Sequence, residues 1–544
     1  MTARLTRSRF LGGAASIVSG FLLAPGAALA ARRFAPRLLD LQVGNGGRPY
    51  AGDRRLFATV SPGIAGRDEA VVRFELPAPA HIRLEIIRTA QDKRTVVATV
   101  EDTFDAGAGR LTWTPDLDIP VGTYLLRLTV EAPGAASRVY GGTRPLVATR
   151  STAPVVRILG IEAACARRSY APGELIRVSV FADALRLTLQ ILHSGPEAEY
   201  TISNDAMSGV QVGKLITLPW ARNRQAPVQV KVLAGDWPSG LYALRFLAPN
   251  GREGFAPFVL RPAQLGTSRQ AVVMPTNTWQ AYNFYDADGD GFGDTWYAGG
   301  QPYVDLARPY RDGGVPPRFH RYDAPFLHWL SATGKTPDFL CDDDLDAVAS
   351  GDRLRELYDL VVFPGHTEYE TAHVYDVLQR FRDLGGRLVF LSADSLYWKV
   401  TRKGNQLHRI KPWRDLGRPE AALLGGQYRG NDDGTRHGNF TVANAAKVPW
   451  LYEGTGLVDG ATFGDDVGGY GIEIDATTRR TPPGTVVVAV ILNIFGPGVN
   501  AEMTYYETPA GARVFNAGAL DFTGSILFEP MRTMLDNLWA HMTS

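Results

Sequence analysis

The sequence predicts a multidomain protein in which two tandem all-β sandwiches precede an α/β domain built on a parallel sheet. Short strand-like runs with period-two alternation fill residues 36–150 and residues 151–263. From residue 264 to residue 544, apolar runs alternate with helical patterns instead, which is typical of a parallel sheet covered by helices on both faces. The 544 residues are also enough for roughly three or four domains of about 150 residues each.

Residues 1–30 have the pattern of an export signal peptide. Arg4, Arg7 and Arg9 make a positive start, an apolar stretch follows, and Ala28-Leu29-Ala30 fits the small-x-small cleavage rule. The start resembles a twin-arginine (Tat-like) signal, although a serine separates the arginines, so the export route stays open. We expect a periplasmic or secreted protein without a transmembrane helix once the signal is removed, because no later segment is long and apolar enough to span a bilayer.

Both predicted sandwiches contain strands bounded by turn residues, as in the immunoglobulin-like modules that they resemble. A weak internal repeat links them, since Pro-x-Gly-x-Tyr-x-Leu-Arg occurs once in each region, at Pro120 and at Pro238. The strand-like runs are 70–76, 81–87, 111–114 and 122–130 in the first region, and 176–180, 187–192 and 237–246 in the second.

In the third region, short apolar runs predict buried parallel strands. They lie at residues 270–274, 338–341, 360–363 and 387–391, and helical patterns follow several of them, as at 324–332. Beyond residue 440 the chain becomes β-rich again and closes with a helix at 531–542. Ligands of open α/β sheets bind at the carboxyl ends of the strands, so those ends are the places to look for a site.

Charge and cysteine content exclude several classes of protein. Lys plus Arg number 57 against 56 for Asp plus Glu, which leaves a net charge of +1 and no footprint for nucleic acid. The two cysteines, Cys165 and Cys341, form neither a metal-ligand spacing nor a disulfide framework. The sequence also lacks a Gly-x-Ser-x-Gly elbow, a His-Glu-x-x-His motif, a phosphate loop and a dinucleotide fingerprint.

The strand at 360–363 stops at Pro364-Gly365, and three polar side chains follow it directly. His366 and Glu368 are the candidate catalytic residues, and Tyr369 is a candidate metal ligand. An imidazole, a carboxylate and a phenol are thereby delivered to the sheet edge where an α/β fold places its chemistry. A loop whose polar groups merely cap the next helix explains these residues equally well.

A calcium loop is predicted at residues 286–294. Asp286, Asp288, Asp290 and Asp294 occupy loop positions 1, 3, 5 and 9, the backbone carbonyl of Phe292 occupies position 7, and a glycine stands at position 6. Closely spaced carboxylates repel one another unless a hard cation binds them. We favour calcium over a solvated acidic turn, although position 12 is not the usual glutamate and no flanking helix pair is evident.

Two further strand ends carry polar and aromatic side chains of the kind that line a pocket for a small-molecule or glycan ligand. After the strand at 270–274 these are Trp279, Tyr282 and Asn283, and after the strand at 387–391 they are Asp394, Tyr397 and Trp398. The same residue types are common in cores, turns and helix caps. Their recurrence at three strand ends nevertheless indicates one shared crevice.

Six motifs together resemble the large (β) subunit of N,N-dimethylformamidase over about residues 151–544. They are Trp237-Pro238-Ser239-Gly240-Leu241-Tyr242, Trp279-Gln280-Ala281-Tyr282-Asn283, Arg308-Pro309, Gly365-His366-Thr367-Glu368-Tyr369, Asp394-Ser395-Leu396-Tyr397-Trp398 and Val514-Phe515-Asn516-Ala517-Gly518. The resemblance implies a C-terminal domain with a class I glutamine amidotransferase-like fold. It also implies a single iron held by two tyrosines and a glutamate, hydrolysis of a small amide, and a small partner subunit.

Carried onto this sequence, the resemblance implies three candidate iron ligands. Tyr369 matches the tyrosine of a Glu-Tyr motif, and Tyr322 lies about one helical turn before the helix that would carry the second tyrosine. The expected glutamate precedes a Gly-Gly-x-aromatic-Arg motif, which is present at 425–429. Leu423 stands at that glutamate's apparent position, and Glu420 is nearby.

Three functional hypotheses remain open from the sequence. The first is an exported, metal-dependent hydrolase of small amide C–N bonds, with His366 or Glu368 as the base. The second is a non-catalytic, calcium-stabilised binding protein of the cell envelope with a carbohydrate or small-molecule ligand. The third is metal-free hydrolysis by His366 and Glu368, for which the strand end supplies no Cys or Ser nucleophile.

Overall fold

The computed structural model describes residues 36–90, 93–142, 153–297 and 301–544, and these form a multidomain structure dominated by β-sheet. The predicted export signal at 1–30 lies outside the described residues. Both cysteines are buried and free. Among the residues that the structure describes, no helix has the length and apolar character needed to cross a bilayer.

The first sandwich packs a three-stranded sheet against a larger sheet. Period-two alternation produces this layering, since Val72 and Phe74 are buried in the core while Arg73 and Glu75 face solvent. The strand Val155–Ile158, beyond the predicted boundary at residue 150, pairs in parallel with Phe57–Val60 and so belongs to this sandwich. One sheet contains Leu39–Gly44, Ala70–Leu76 and Gly107–Trp113; the other contains Phe57–Val60, Val155–Ile158, Gly122–Glu131, Ala80–Ala90 and Lys93–Phe104, with Arg138–Tyr140 at its side.

The second sandwich repeats this arrangement, and the shared Pro-x-Gly-x-Tyr motif has the same geometry in both. The Tyr124 hydroxyl donates to the Pro120 carbonyl at 2.6 Å, and the Tyr242 hydroxyl donates to the Pro238 carbonyl at 2.7 Å. The internal repeat therefore encodes a tyrosine that ties the turn to the start of its own strand. The two sheets contain Ile161–Cys165, Leu175–Ala182 and Val228–Leu233, and Ser169–Tyr170, Glu253–Leu260, Gly240–Leu247, Arg186–His193 and Val210–Pro219.

The C-terminal domain contains a nine-stranded mixed sheet. Its first five strands are parallel and its last four are antiparallel. In spatial order the strands are Asp338–Cys341, Gln270–Met274, Leu360–Phe363, Arg387–Phe390, Arg513–Asn516, Ala501–Glu507, Val486–Ile491, Phe440–Val442 and Thr462–Phe463. The carboxyl ends of the five parallel strands lie at one edge of the sheet, and the candidate site residues lie at that edge.

Helices cover both faces of the parallel half, because its strands are apolar on both sides. Val272 and Val362 pack with the helices Ala324–Ala332 and Met531–Thr543, whereas Phe363 packs with helices of the opposite face. The remaining α-helices in the described part of the chain are Thr276–Ala281, Phe319–Tyr322, Asp342–Asp346, Gly351–Leu357, Ala372–Asp383, Ala421–Leu424 and Pro449–Tyr452.

Two smaller sheets complete the surroundings of the site. One has the strand order Val304–Asp305, Gln406–Pro412, Trp398–Lys403 and Tyr369–Thr371. The other is a two-stranded ribbon of Gln427–Asn431 and Glu473–Ala476. The ribbon brings a distant part of the sequence over the carboxyl ends of the parallel strands.

The core directly below the site rests on a stacked pair of phenylalanines. Phe363 and Phe390 are fully buried, with ring centroids 4.8 Å apart. We expect Phe363→Ala to lower the free energy of unfolding of this domain by about 3–5 kcal/mol, since it leaves a cavity in a packed core. Urea denaturation measures the change. Phe528→Ala, at a side chain 43% exposed, is the control, and a loss below about 1 kcal/mol for Phe363→Ala would contradict this packing.

Candidate functional site

Three parallel strands deliver side chains to one edge of the sheet. The helix Thr276–Ala281 follows the first strand and brings Trp279, the segment after Leu360–Phe363 brings His366 and Glu368, and the loop after Arg387–Phe390 brings Asp394. All three strands run in the same direction, so their carboxyl ends meet. The segments that follow these three strands therefore lie side by side at one edge of the sheet.

His366 is the centre of this group. Its Nε2 atom lies 3.1 Å from Glu473 Oε2 and 3.6 Å from Glu368 Oε2. His366 and Glu473 form an ion pair when the imidazole is protonated. Burial lowers the pKa of His366, but the charges of Glu473 and Glu368 outweigh it, so the pKa lies above the usual range.

Glu368 is buried beneath His366 and is held by a phenol. The Tyr282 hydroxyl donates to Glu368 Oε2, and the Tyr282 ring stacks on the His366 ring with centroids 5.5 Å apart. Burial raises the pKa of Glu368 to about 7, with the neighbouring His366 acting in the opposite direction. A carboxyl with this pKa can hold or release a proton near neutral pH.

Asp394 completes a group of three side chains whose types can bind a metal ion. One ligand atom each of His366, Asp394 and Glu473 lies within 4.8 Å of the others. Asp394 has a left-handed backbone with a φ of 52°, and its N–H donates to Asp475 Oδ1 at 2.9 Å. Its Oδ1 atom, His366 Nε2 and Glu473 Oε2 are all buried without a hydrogen-bond partner among the described residues. A bound cation would satisfy all three atoms at once.

A cavity of about 210 Å³ opens beside His366. Its walls are largely aromatic near His366, and its remaining lining includes both acidic and basic side chains. Such a pocket suits a small ligand that is held by apolar contact and oriented by a few polar groups. The lining residues are Thr278, Trp279, Tyr282, Phe284, Tyr297, Pro317, Arg318, Arg321, Tyr322, Asp323, His366, Asp433, Gly434, His437, Ile472, Glu473 and Leu520.

The six predicted pocket residues divide into two groups. Trp279 and Tyr282 line the cavity, and Asp394 joins the group of ligating side chains. Asn283, Tyr397 and Trp398 are outside the lining.

These three have other contacts. The Asn283 amide donates to Gln280 and Pro309, and its carbonyl accepts from Tyr285 and Arg311, so it fixes the loop fold. The Tyr397 ring packs on Trp398 and Tyr428, and the Trp398 ring lies under the Arg409 guanidinium.

The three predicted iron ligands occupy different surroundings. Tyr322 lines the cavity. The Tyr369 hydroxyl donates to the Tyr282 hydroxyl at 3.3 Å, and its ring packs on Trp296 behind the cavity wall. Glu420 is fully buried in an ion pair with Arg414. The phenol nearest to His366 and Glu368 is therefore that of Tyr282.

Two acidic residues of the site, Glu473 and Asp475, were not predicted from the sequence. They belong to the strand Glu473–Ala476, which is not part of the parallel sheet. Two acidic residues separated by one residue lie on the same face of a strand. This spacing was the one feature of the sequence that could have indicated Glu473 and Asp475 as site residues. Asp475 is fully buried and accepts from the Asn516 amide at 2.8 Å, and burial raises its pKa to about 6.

Asp323 is a third acid that the sequence did not single out. It is 1% exposed, and its Oδ2 accepts from Trp279 Nε1 at 3.1 Å while Oδ1 has no partner among the described residues. Burial raises the pKa of Asp323 to about 8. Gly365 is required beside it, since a Cβ there would lie 2.4 Å from Asp323 Oδ1.

The loop at 286–294 is formed as a tight acidic turn against the first sandwich. Ligand atoms of Asp286, Asp288 and Asp294 lie within 4.8 Å of one another. Asp286 also accepts from the backbone N–H groups of Gly289 at 2.6 Å and of Gly291 at 2.7 Å. Phe292 packs in an apolar cluster of the first sandwich, so the loop joins the two domains.

One matching family and two relatives of known name indicate the same family. The family described as N,N-dimethylformamidase beta subunit-like, C-terminal, matches residues 193–533. The N,N-dimethylformamidase beta subunits of an Alcaligenes species and of Paracoccus aminophilus are each 24% identical to this chain over 306 residues. That match covers 44% of this chain and 39% of each relative, so the chain matches well under half the length of these relatives.

Among solved structures, a Salmonella alpha-2-macroglobulin reacted with methylamine is similar at 10% identity, over 41% of this chain and 16% of that chain. Its TM-score of 0.22 is too low to support an argument about fold or function.

Proposed function

Because the chain belongs to the N,N-dimethylformamidase beta subunit-like, C-terminal family, we propose that it is a metal-dependent hydrolase that cleaves the C–N bond of small amides. One observation carries the proposal. His366, Glu473 and Asp394 each bring one possible ligand atom to within 4.8 Å of the others beside a small aromatic cavity, and His366 Nε2, Glu473 Oε2 and Asp394 Oδ1 are buried without a hydrogen bond among the described residues. The His366–Glu473 ion pair accounts for two of these atoms, whereas Asp394 Oδ1 is buried without a donor among the described residues, and a bound cation would satisfy it.

The residues present fit a metal ion. Imidazole and carboxylate donors suit iron and zinc, and a phenol adds a further oxygen donor typical of ferric iron. His366, Asp394 and Glu473 would hold the ion, with Glu368 and Tyr282 beside them. When bound there, the metal would polarise the amide carbonyl and acidify a water molecule. This donor set differs from Tyr369, Tyr322 and Glu420, of which Tyr322 alone lines the cavity.

The chain's own residues supply the remaining functions of a hydrolase. Glu368 is placed to accept a proton near neutral pH, since its carboxylate is buried 3.6 Å from His366 Nε2 and its pKa is about 7. Trp279 and Tyr282 narrow the cavity and exclude bulk water from one wall. The volume of about 210 Å³ limits the substrate to a small molecule.

A turnover screen tests the proposal. The purified full-length chain, loaded with ferrous or ferric iron and separately with zinc, is assayed against formamides, acetamides and their N-methyl derivatives by release of the amine. Turnover that a chelator abolishes and metal restores is the expected result. A folded chain that hydrolyses none of these amides with any metal, yet binds a glycan or small molecule, would favour the envelope-binding alternative.

We also propose that calcium occupies the loop at 286–294 and stabilises the junction with the first sandwich. The support is the position of three carboxylates around one point. Calcium at about 100 times its Kd should add about 2.7 kcal/mol to the stability of this unit. Thermal unfolding with and without calcium measures the effect. Asp288→Asn should lower the bound calcium by one ion per chain and remove this part of the stabilisation, whereas the exposed control Asp466→Asn should change neither, and an Asp288→Asn chain that binds as much calcium as the parent would disprove the assignment.

Three further parts of the proposal rest on sequence and family alone. We propose that the chain is exported to the periplasm or secreted, that a small partner subunit joins it, and that its domains are immunoglobulin-like and glutamine amidotransferase-like. The relatives are named beta subunits, which supports the partner. N-terminal sequencing of the mature protein and co-purification from the native host test the first two.

A further inference from the structure

A second group of acidic side chains lies behind the candidate site, on the far side of the strand that carries Tyr369. Asp342 and Glu370 are 1% and 0% exposed. The carboxyl groups of Glu370 and Asp342 lie within hydrogen-bond reach of each other, and burial, together with the charge of Asp342, holds the pKa of Glu370 well above its usual range. The arginines nearby pair instead with the next two acids along the chain, Arg168 and Arg402 with Asp343 and Arg261 with Asp344.

Most of the oxygen atoms in this group lack donors. Glu370 Oε1, Glu370 Oε2 and Asp342 Oδ1 have no hydrogen-bond partner among the described residues, and neither has Asn277 Oδ1. The other Asp342 oxygen is satisfied, since it accepts from Thr276 Oγ1 at 2.9 Å and from the Asn277 N–H at 2.6 Å. The Asn277 side-chain amide also donates to the Tyr369 carbonyl at 3.2 Å. The Asn277 side chain therefore lies between the segment that carries Asp342 and the strand that carries Glu370.

We propose that Asp342, Glu370 and Asn277 form a cation site, and that the cation is calcium. A single proton shared between the two carboxyls would satisfy one pair of oxygens and would leave the second Glu370 oxygen and Asn277 Oδ1 without partners. A cation accepts all four oxygens and supplies the positive charge that no side chain provides here.

The ligand types select the class of ion. Every available donor is an oxygen, which favours a hard cation over zinc or iron. Both Glu370 oxygens are free, so this carboxylate can bind in bidentate mode, as is common for calcium, whereas magnesium keeps an octahedral shell rich in water. Two carboxylates also neutralise a divalent ion. The site is separate from the loop at 286–294 and does not depend on the proposed hydrolase activity.

The position of this site gives it a structural role. It would link the helix Thr276–Ala281, the helix Asp342–Asp346 and the strand Tyr369–Thr371. The first of these elements carries Trp279, and the last begins directly after Glu368. Calcium here would therefore fix two walls of the candidate active site from behind.

Crystals of the full-length chain grown in calcium chloride test the proposal directly. Anomalous scattering from calcium should give a peak between Asp342 and Glu370, with the four oxygens at about 2.3–2.6 Å from it. A structure at saturating calcium without that peak overturns the proposal, whether or not the loop at 286–294 is occupied.

Calcium content in solution provides the second measurement. Glu370→Gln should lower the bound calcium by one ion per chain and reduce the calcium-dependent rise in Tm, while Glu356→Gln, which removes the same charge from an exposed helix position, should change neither. If Glu370→Gln binds as much calcium as the parent chain and is equally or more stable, a shared proton satisfies the pair and the proposal is wrong. Asp342→Asn replaces Glu370→Gln if the latter does not fold, with the same two outcomes.

Discussion

Glu473→Gln is expected to lower kcat/KM for amide hydrolysis by at least about 100-fold, which corresponds to about 2.7 kcal/mol of transition-state stabilisation. Glu473 Oε2 lies 3.1 Å from His366 Nε2 and has no hydrogen-bond partner of its own. The substitution keeps the size of the side chain but removes a charge that the site would use to hold a metal and to keep the pKa of His366 raised. Steady-state assays with the amide found in the screen measure the loss.

The matched control for this variant is Glu502→Gln. Glu502 is also half-buried on a strand, but it accepts from the Thr477 N–H and hydroxyl at 2.7 and 2.6 Å and lies outside the cavity lining. It should retain kcat/KM within about threefold of the parent. If both variants lose activity equally, Glu473 has no special role and the loss comes from the fold.

Tyr282→Phe is expected to reduce kcat/KM by about 100-fold, whereas Tyr369→Phe should cost less than about tenfold. The Tyr282 hydroxyl contacts Glu368 directly and its ring lines the cavity. The Tyr369 hydroxyl donates to the Tyr282 hydroxyl at 3.3 Å, and its own hydrogen bond lowers the pKa of Glu368 no more than that of Tyr282 does. Tyr282→Phe therefore removes one phenol hydrogen bond to a buried carboxylate at the cavity, whereas Tyr369→Phe removes a second one from outside the cavity lining.

Each tyrosine variant is the control for the other, since both delete a single buried hydroxyl. Kinetics and circular dichroism are measured on both. The opposite ranking, with Tyr369→Phe inactive and Tyr282→Phe active, would restore Tyr369 to the ligand role that the sequence predicts.

Much of the α/β domain could be predicted because its strands are short apolar runs bounded by turn residues. The strands at 270–274, 338–341 and 360–363 were predicted with their observed bounds. Parallel pairing then places their carboxyl ends together, so the sequence alone was enough to group His366, Glu368 and Trp279. The predicted boundary at residue 150 places Val155–Ile158 in the second sandwich, but this strand pairs with Phe57–Val60 of the first. A partner about a hundred residues earlier in the chain leaves no pattern in the local sequence.

Side-chain direction and distant partners could not be read in the same way. Tyr369 and Tyr282 are both near strand ends, and only the packing of Tyr369 on Trp296 decides which phenol faces the cavity. From the sequence, Glu420 is as good a candidate ligand as any other glutamate. The structure shows that it forms an ion pair with Arg414. Glu473 enters the site from an antiparallel ribbon, where strand order gives no hint of proximity to His366.

The metal content of the purified chain tests the central claim most directly. Full-length protein purified without chelator should contain close to one transition-metal ion per chain, measured by mass spectrometry of the digested sample. The combined variant His366→Gln, Glu473→Gln should contain close to none while keeping the parent's circular dichroism spectrum. A parent chain that is folded, free of transition metal and still able to hydrolyse the amide would contradict the account.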